Sequence, residues 1–255
     1  PNPKPQTPNP HPLKIIMEVS DYLFRIRNDY FLGRHLDVLE GFKDFQNSRH
    51  SKSTTSQSFC LKIYVVKSLI FFYRNNEDIV QEYESTLTPL NDLIEVFVKY
   101  YAPTIMGIEK EEAEELINEL KIDKLFHKFT KEEGSQLIIT FQNFIYISQR
   151  SFEKLISPSF EFTELVIEYH FMYFCLIYQS HQLNKIEKRI LLISEIDDEH
   201  ILYHLCILRK YQHEHLYENA ENKIEEIRER FGDSLKLDNL KCVSLMTRLS
   251  FEEAI

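Results

Sequence analysis

Between Ser58 and Asn75 the chain reads SFCLKIYVVKSLIFFYRN, and this stretch constrains everything around it. Phe59, Ile63, Val66, Ile70 and Tyr73 recur every three or four residues, which writes one face of an α-helix. Val65, Leu69 and Phe72 fill a second face, so Lys62, Lys67, Ser68 and Arg74 are left as its water-facing remainder. A helix apolar nearly all round must be covered on most sides by other elements. Such a segment is the centre of a fold, and the rest of the chain has to supply its cover.

The cover is helical. Of nine prolines, six lie within Pro1–Pro12, and glycines number only five in 255 residues, so breakers are scarce beyond the first dozen positions. PNPKPQTPNPHP reads as a polyproline-like linker (residues 1–12) leading into one helical-repeat-like domain (residues 13–255). Within it, helical periodicity predicts segments at Leu13–Asn28, with Asp21 four residues before Arg25 as a supporting pair, and at Arg34–Gln46. A polar, basic Ser48–Gln57 loop follows. Beyond the central helix, segments are expected at Glu77–Ser85, Thr88–Tyr101, Glu109–Leu120, Lys124–Glu132, Ser135–Arg150 and Phe162–Ser180. Others follow at Leu183–Ile196, Asp198–Tyr211, Leu216–Phe231 and Leu237–Leu249, with Gly232 as a C-cap. No segment alternates with period two. The fold class expected is all-α, an irregular α-solenoid of stacked antiparallel helices of the HEAT or tetratricopeptide kind. His200–Phe231 lies on the tetratricopeptide pattern through Ile207, Tyr211, Ala220, Ile224 and Ile227, although Leu208 stands where that pattern has glycine.

Several function classes drop out. The five glycines never cluster into a phosphate loop, and neither G-x-S-x-G nor H-E-x-x-H occurs. The acidic run Glu109–Glu115 reads as a solvated helix start. Cys60, Cys175, Cys206 and Cys242 are scattered through apolar helical patterns, as buried reduced thiols are. His200 and His204 have metal-ligand spacing, but Cys206 and Glu199 are out of phase as further ligands, so helix-surface or interface histidines are expected. No enzyme, catalytic residue, metal or cofactor is expected. The longest apolar stretch, Phe171–Tyr178, is far short of the ~20 residues of a membrane span, which points to a soluble protein without membrane or small-molecule partners. No targeting leader is read at the start, and an opening on Pro1 rather than Met predicts a longer parent chain.

Charge is the remaining lead. The net charge is −10, yet Pro1–Arg74 holds eleven Lys or Arg against six Asp or Glu, a net +5 that leaves −15 elsewhere. An anionic partner would therefore meet the N-terminal part. Arg25, Arg27, Arg34, Arg49, Lys52, Lys62, Lys67 and Arg74, interleaved with Tyr22, Tyr30 and Phe31, are the candidate nucleic-acid-binding residues. The alternative is that the aromatics are core and the cations only solubilise a surface.

DYLFRIRN (Asp21–Asn28) and SLIFFYRN (Ser68–Asn75), in this order and spacing, resemble segments of the Mei-four or Rec-twenty-four family of meiotic double-strand-break accessory factors. The resemblance covers Pro10–Asn75. It implies a nuclear, chromosome-associated scaffold in meiotic recombination initiation, acting with a Rec-one-fourteen-type partner, the break-forming core complex and DNA. The family's partner-binding segment lies N-terminal to its helical domain, and nothing before Pro12 matches it. The second reading is a helical-repeat protein-interaction subunit of another nuclear or cytosolic complex.

Overall fold

The computed structural model describes residues 18–52, 55–75, 131–148, 154–179 and 185–248. Among these residues there are nine helices and no strand, so the chain is an all-α stack of helical hairpins. They are α1 (Val19–Phe31), α2 (His35–Gln46), α3 (Ser56–Asn75), α4 (Lys131–Ser148), α5 (Thr163–Gln179), α6 (Ile186–Asp197), α7 (Ile201–His213), α8 (Tyr217–Phe231) and α9 (Leu235–Thr247). The Pro1–Pro12 linker, Leu13–Met17, and the expected helices at 77–85, 88–101 and 109–120 lie outside the described residues, as does most of 124–132.

Apolar periodicity located these helices, while their ends follow local hydrogen bonding. Asp21 does not pair with Arg25 but turns back to accept the Glu18 N–H at 2.7 Å, closing the first turn of α1. Arg25 instead reaches Asp44 on α2 at 2.9 Å. The polar Ser48–Gln57 loop ends sooner than its composition suggests, because Ser56 and Gln57 already belong to α3. His200, expected on a helix face, is the N-cap of α7, its side chain accepting from Leu202 N.

The centre is α3. Leu61, Ile63, Tyr64, Val65, Val66 and Leu69 are wholly buried, between α1, α2 and α5. The sequence reading turns Lys67 and Ser68 toward water; the structure buries both, because α5 and α2 cover that side as well. Ser68 Oγ lies 3.2 Å from His35 Nδ1 of α2, and Lys67 meets Glu168 of α5. Ile70 carries no described side chain, but removing Leu69 beyond Cβ would cost about 2–5 kcal/mol through the cavity left.

From α5 onward the helices pack as successive pairs, α5 on α6, α7 on α8 and α8 on α9. In the α7–α8 hairpin Ala220, Ile224 and Ile227 are wholly buried, and Leu208, where a tetratricopeptide has glycine, is buried too. The stack then returns on its own beginning. Arg34, in the α1–α2 turn, donates to Phe231 O at 2.7 Å and to Asp233 O at 3.4 Å, at the C-terminal end of α8. Lys236, in the first turn of α9, donates to Phe31 O of α1 at 2.7 Å. Each cation thus caps the carbonyl end of the other unit's helix, where the helix dipole favours positive charge. Gly232 permits the crossing: its φ is +89°, and a Cβ there would stand 2.5 Å from Arg34 Nη1.

Candidate interaction surface

Inside the molecule, charges join the N-terminal three helices to α5 and its followers. Glu164, in the first turn of α5, accepts from Arg27 at 2.7 Å and lies 3.0 Å from His200 Nε2 and 3.4 Å from the Tyr64 hydroxyl. Because Leu202 N–H donates to His200 Nδ1, the ring proton sits on Nε2 and is donated to Glu164. Burial pushes the Glu164 carboxyl up, but the His200 hydrogen bond and Arg27 outweigh it and hold it below its ordinary value. Burial also holds His200 below its ordinary value, against the pull of Glu164. One turn along α5, Glu168 accepts from Lys67 at 2.6 and 2.8 Å, with the ammonium over the Tyr64 ring. These groups neutralise one another and fix how the helices meet.

The eight cations assigned to a phosphate backbone are consequently not one face. Arg27 and Lys67 are buried in the pairs just described. Arg34 is held by Asp29 at 2.6 Å and by the α8 carbonyls. Arg25 is shared between Asp44 and, at 3.9 Å, Asp29. Arg49, bonded to His50 at 3.0 Å, and Lys52 are exposed beside the α2–α3 turn, and Lys62 is half-buried. Arg74 ends α3 with its side chain outside the described residues.

His200 and His204 are interior groups. His204, read as a surface or interface residue, is buried between α7 and α8. Its Nε2 accepts from Arg230 at 3.1 Å, so its proton is on Nδ1, 3.4 Å from Glu226. His170 accepts from Arg189, whose guanidinium lies 3.8 Å from the centre of the Tyr173 ring. Burial first, and Arg189 second, push His170 down to about 4. Among the described residues no three His, Cys, Asp or Glu converge as metal ligands. None of the four cysteines is in a disulfide; Cys60 and Cys206 are buried, Cys175 and Cys242 half-buried. Burial pushes the Cys60 and Cys206 thiols well up, the opposite of what a nucleophile needs.

Among the described residues a groove of about 430 Å³ opens to solvent between α6 and α7, lined by Ile190, Leu191, Tyr203 and Ile207 and rimmed by Glu187 and Lys210. The rim residues pair at 2.9 Å. Leu191 is 56% exposed there. The sequence did carry this signal: Ile190–Ile193 is a run of four apolar residues, and consecutive helical positions 100° apart cannot all face inward. Among the described residues no helix is long and apolar enough to cross a membrane.

Compared with known proteins, the chain matches the family model of the coatomer epsilon subunit over residues 19–255. No curated protein and no solved structure matches it. The family match overturns the Mei-four or Rec-twenty-four resemblance. It removes the meiotic double-strand-break function, the Rec-one-fourteen-type partner with its break-forming core, and the nuclear, chromosome-associated placement. The motifs behind that resemblance are mostly interior: Tyr22, Leu23, Ile26, Arg27 and Asn28 from the first, Ser68, Leu69 and Phe72 from the second, are buried. Residues of those types recur wherever helices pack. The alternative, an interaction subunit of another complex, is the reading that agrees with the match.

Proposed function

The chain belongs to the coatomer epsilon-subunit family, and from that premise we propose that it is a non-enzymatic structural subunit of a vesicle coat. It works by holding other coatomer subunits, in the cytosol and on Golgi-associated vesicles, and touches the membrane through that assembly. Residues 13–255 act as one helical unit behind the Pro-rich linker. The observation that carries the reading is the α6–α7 groove, where Leu191 stands exposed among Ile190, Tyr203 and Ile207. Such a patch on a stacked-helix surface suits an apolar segment of a partner, with the Glu187–Lys210 pair at its polar rim. The absence of chemistry is supported by the buried ionisable groups, which are spent on one another across helix junctions.

Size-exclusion chromatography of the full chain mixed with the remaining coatomer subunits tests this. The chain should co-elute with them, and Leu191→Asp should weaken the association at least ten-fold while the helical circular dichroism stays unchanged. Elution of the unmodified chain apart from every coatomer subunit would refute the proposal.

A further inference from the structure

The α6–α7 groove is graded along its length. Glu187 and Lys210 meet across one end at 2.9 Å, which sets the register of two antiparallel helices joined by the short turn at 198–200. Counted inward from that pair, Leu191 comes beside Ile207, and Ser194 beside Tyr203. Seven residues of α6 separate Glu187 from Ser194, two helical turns or about 10.5 Å. The groove therefore has a charged end, an apolar middle of Ile190, Leu191 and Ile207, and a hydroxyl end.

Most polar groups along it are already bonded. Lys210 is matched by Glu187 and, at 3.8 Å, by Glu214. The Ser194 hydroxyl donates to Leu191 O of its own helix at 2.8 Å. Two groups are left. Among the described residues, neither Lys188, exposed at the charged end, nor the Tyr203 hydroxyl at the other end has a hydrogen-bonding partner. Lys188 is one turn from Leu191, so a segment seated on that leucine brings its own side chains within reach of the ammonium. A carboxylate is the complementary group. A dianionic phosphate suits the place less, because Glu187 and Glu214 stand at the same end.

The backbone decides the occupant's shape. Residues 190–194 and 203–207 lie inside helices, so their N–H and C=O groups are bonded along their own axes. An extended peptide laid between them would turn its own N–H and C=O groups toward apolar side chains with nothing to bond. A helix satisfies its backbone internally and presents side chains at intervals of three and four, the mode in which amphipathic helices enter apolar grooves.

We infer that the α6–α7 groove receives an amphipathic helix of another coatomer subunit, two turns of which lie along it. The apolar stripe of that helix covers Leu191 and Ile207. An Asp or Glu at one end of the stripe pairs with Lys188, and a polar side chain about seven residues away meets the Tyr203 hydroxyl. This rests on the coat-subunit reading and adds to it the shape and charge of the occupant.

The test measures the affinity of the full chain for the remaining coatomer subunits, with the unmodified chain first. Lys188→Glu should weaken association about ten-fold at low salt and by less in 1 M salt. Lys188→Arg should bind as the unmodified chain does. Tyr203→Phe, which removes only the hydroxyl, should cost about two- to ten-fold. Lys52→Glu, the same charge change at an exposed lysine beside the α2–α3 turn, should change nothing. A carbodiimide, which joins an ammonium to a carboxylate in contact with it, should link Lys188 to an Asp or Glu on a helix of another subunit. The coat-subunit reading fails if the unmodified chain forms no complex. A complex that forms, and that Lys188→Glu weakens no more than Lys52→Glu does, would overturn this inference and leave that reading standing. So would a cross-link from Lys188 into an extended segment.

Discussion

Two junctions of this molecule are made of ion pairs, and they differ in how far water reaches them. Where α1 and α3 meet α5, Lys67 and Glu168 side chains are 1% and 7% exposed, and Arg27 and Glu164 6% and 12%. Where α8 turns into α9, Arg228 holds Glu225, Asp233 and Asp238, each at 2.8 Å, but the three carboxylates are about half exposed or more. The contact distances are alike; the dielectric is not. At the inner junction each charge has given up its hydration, so losing one member leaves the other buried with its strongest compensation gone. At the outer one water takes over whatever the protein lets go. An ion pair's distance therefore says little about what its removal costs; its burial says most of it.

The largest effect should come from stranding a charge at the inner junction. Glu168→Ala is expected to cost about 3–5 kcal/mol, because it takes away the carboxylate that accepts from buried Lys67 at 2.6 and 2.8 Å. Replacing both partners, Lys67→Met with Glu168→Leu, should recover most of that loss. Urea denaturation midpoints at constant m-value decide the matter. A double variant as unstable as the single would show that packing, not the stranded charge, was the cause.

Acid should act on the same interior next. His170 is held at about 4 against an ordinary 6.5, so below pH 6.5 the unfolded chain takes up a proton that the folded chain refuses. The stability is whole above pH 6.5 and is lost as pH falls from 6.5 toward 4. His35, His200 and His204, all held below their ordinary value by burial, push the same way. Asp29, raised by burial, offsets a little of the loss at the acid end. The melting temperature should fall across this window, and His170→Gln, which can still accept from Arg189, should make the fall shallower.

Between the two junctions stands the crossing at Gly232. Gly232→Ala meets both an unfavourable positive φ and the Arg34 guanidinium, and should cost about 1–2 kcal/mol. Arg34→Ala in that background should add less than its own separate cost, since the two share one contact. The smallest effect belongs to the outer junction. Arg228→Ala should cost under about 1 kcal/mol and less still in 1 M salt. A loss there comparable to Glu168→Ala would break the comparison outright.

Much of the fold was legible because helices announce themselves locally. The three-and-four spacing of Phe59, Ile63 and Val66 needs no knowledge of the rest of the chain, and Ala220, Ile224 and Ile227 could be matched to a hairpin pattern for the same reason. Pairings across the fold have no such local mark. Glu168 is 101 residues from Lys67, and Glu164 is 137 from Arg27. Nothing in either neighbourhood distinguishes a lysine that will be buried from one that faces water. The same blindness let helix-packing residues pass for a family signature. The α6–α7 groove was partly visible in the Ile190–Ile193 run, but which residue of the run stays outside depends on how α5 and α7 cover α6.

The crossed caps also set a schedule. Phe31 and the lysine that caps its carbonyl are 205 residues apart. At about 5–20 residues per second, a ribosome needs roughly 10–40 s to travel from one to the other. Within it Arg27 waits for Glu164 through 137 residues, roughly 7–27 s, and Lys67 for Glu168 through 101, roughly 5–20 s. The N-terminal helices of each new molecule therefore spend their first tens of seconds as the surface a chaperone would meet.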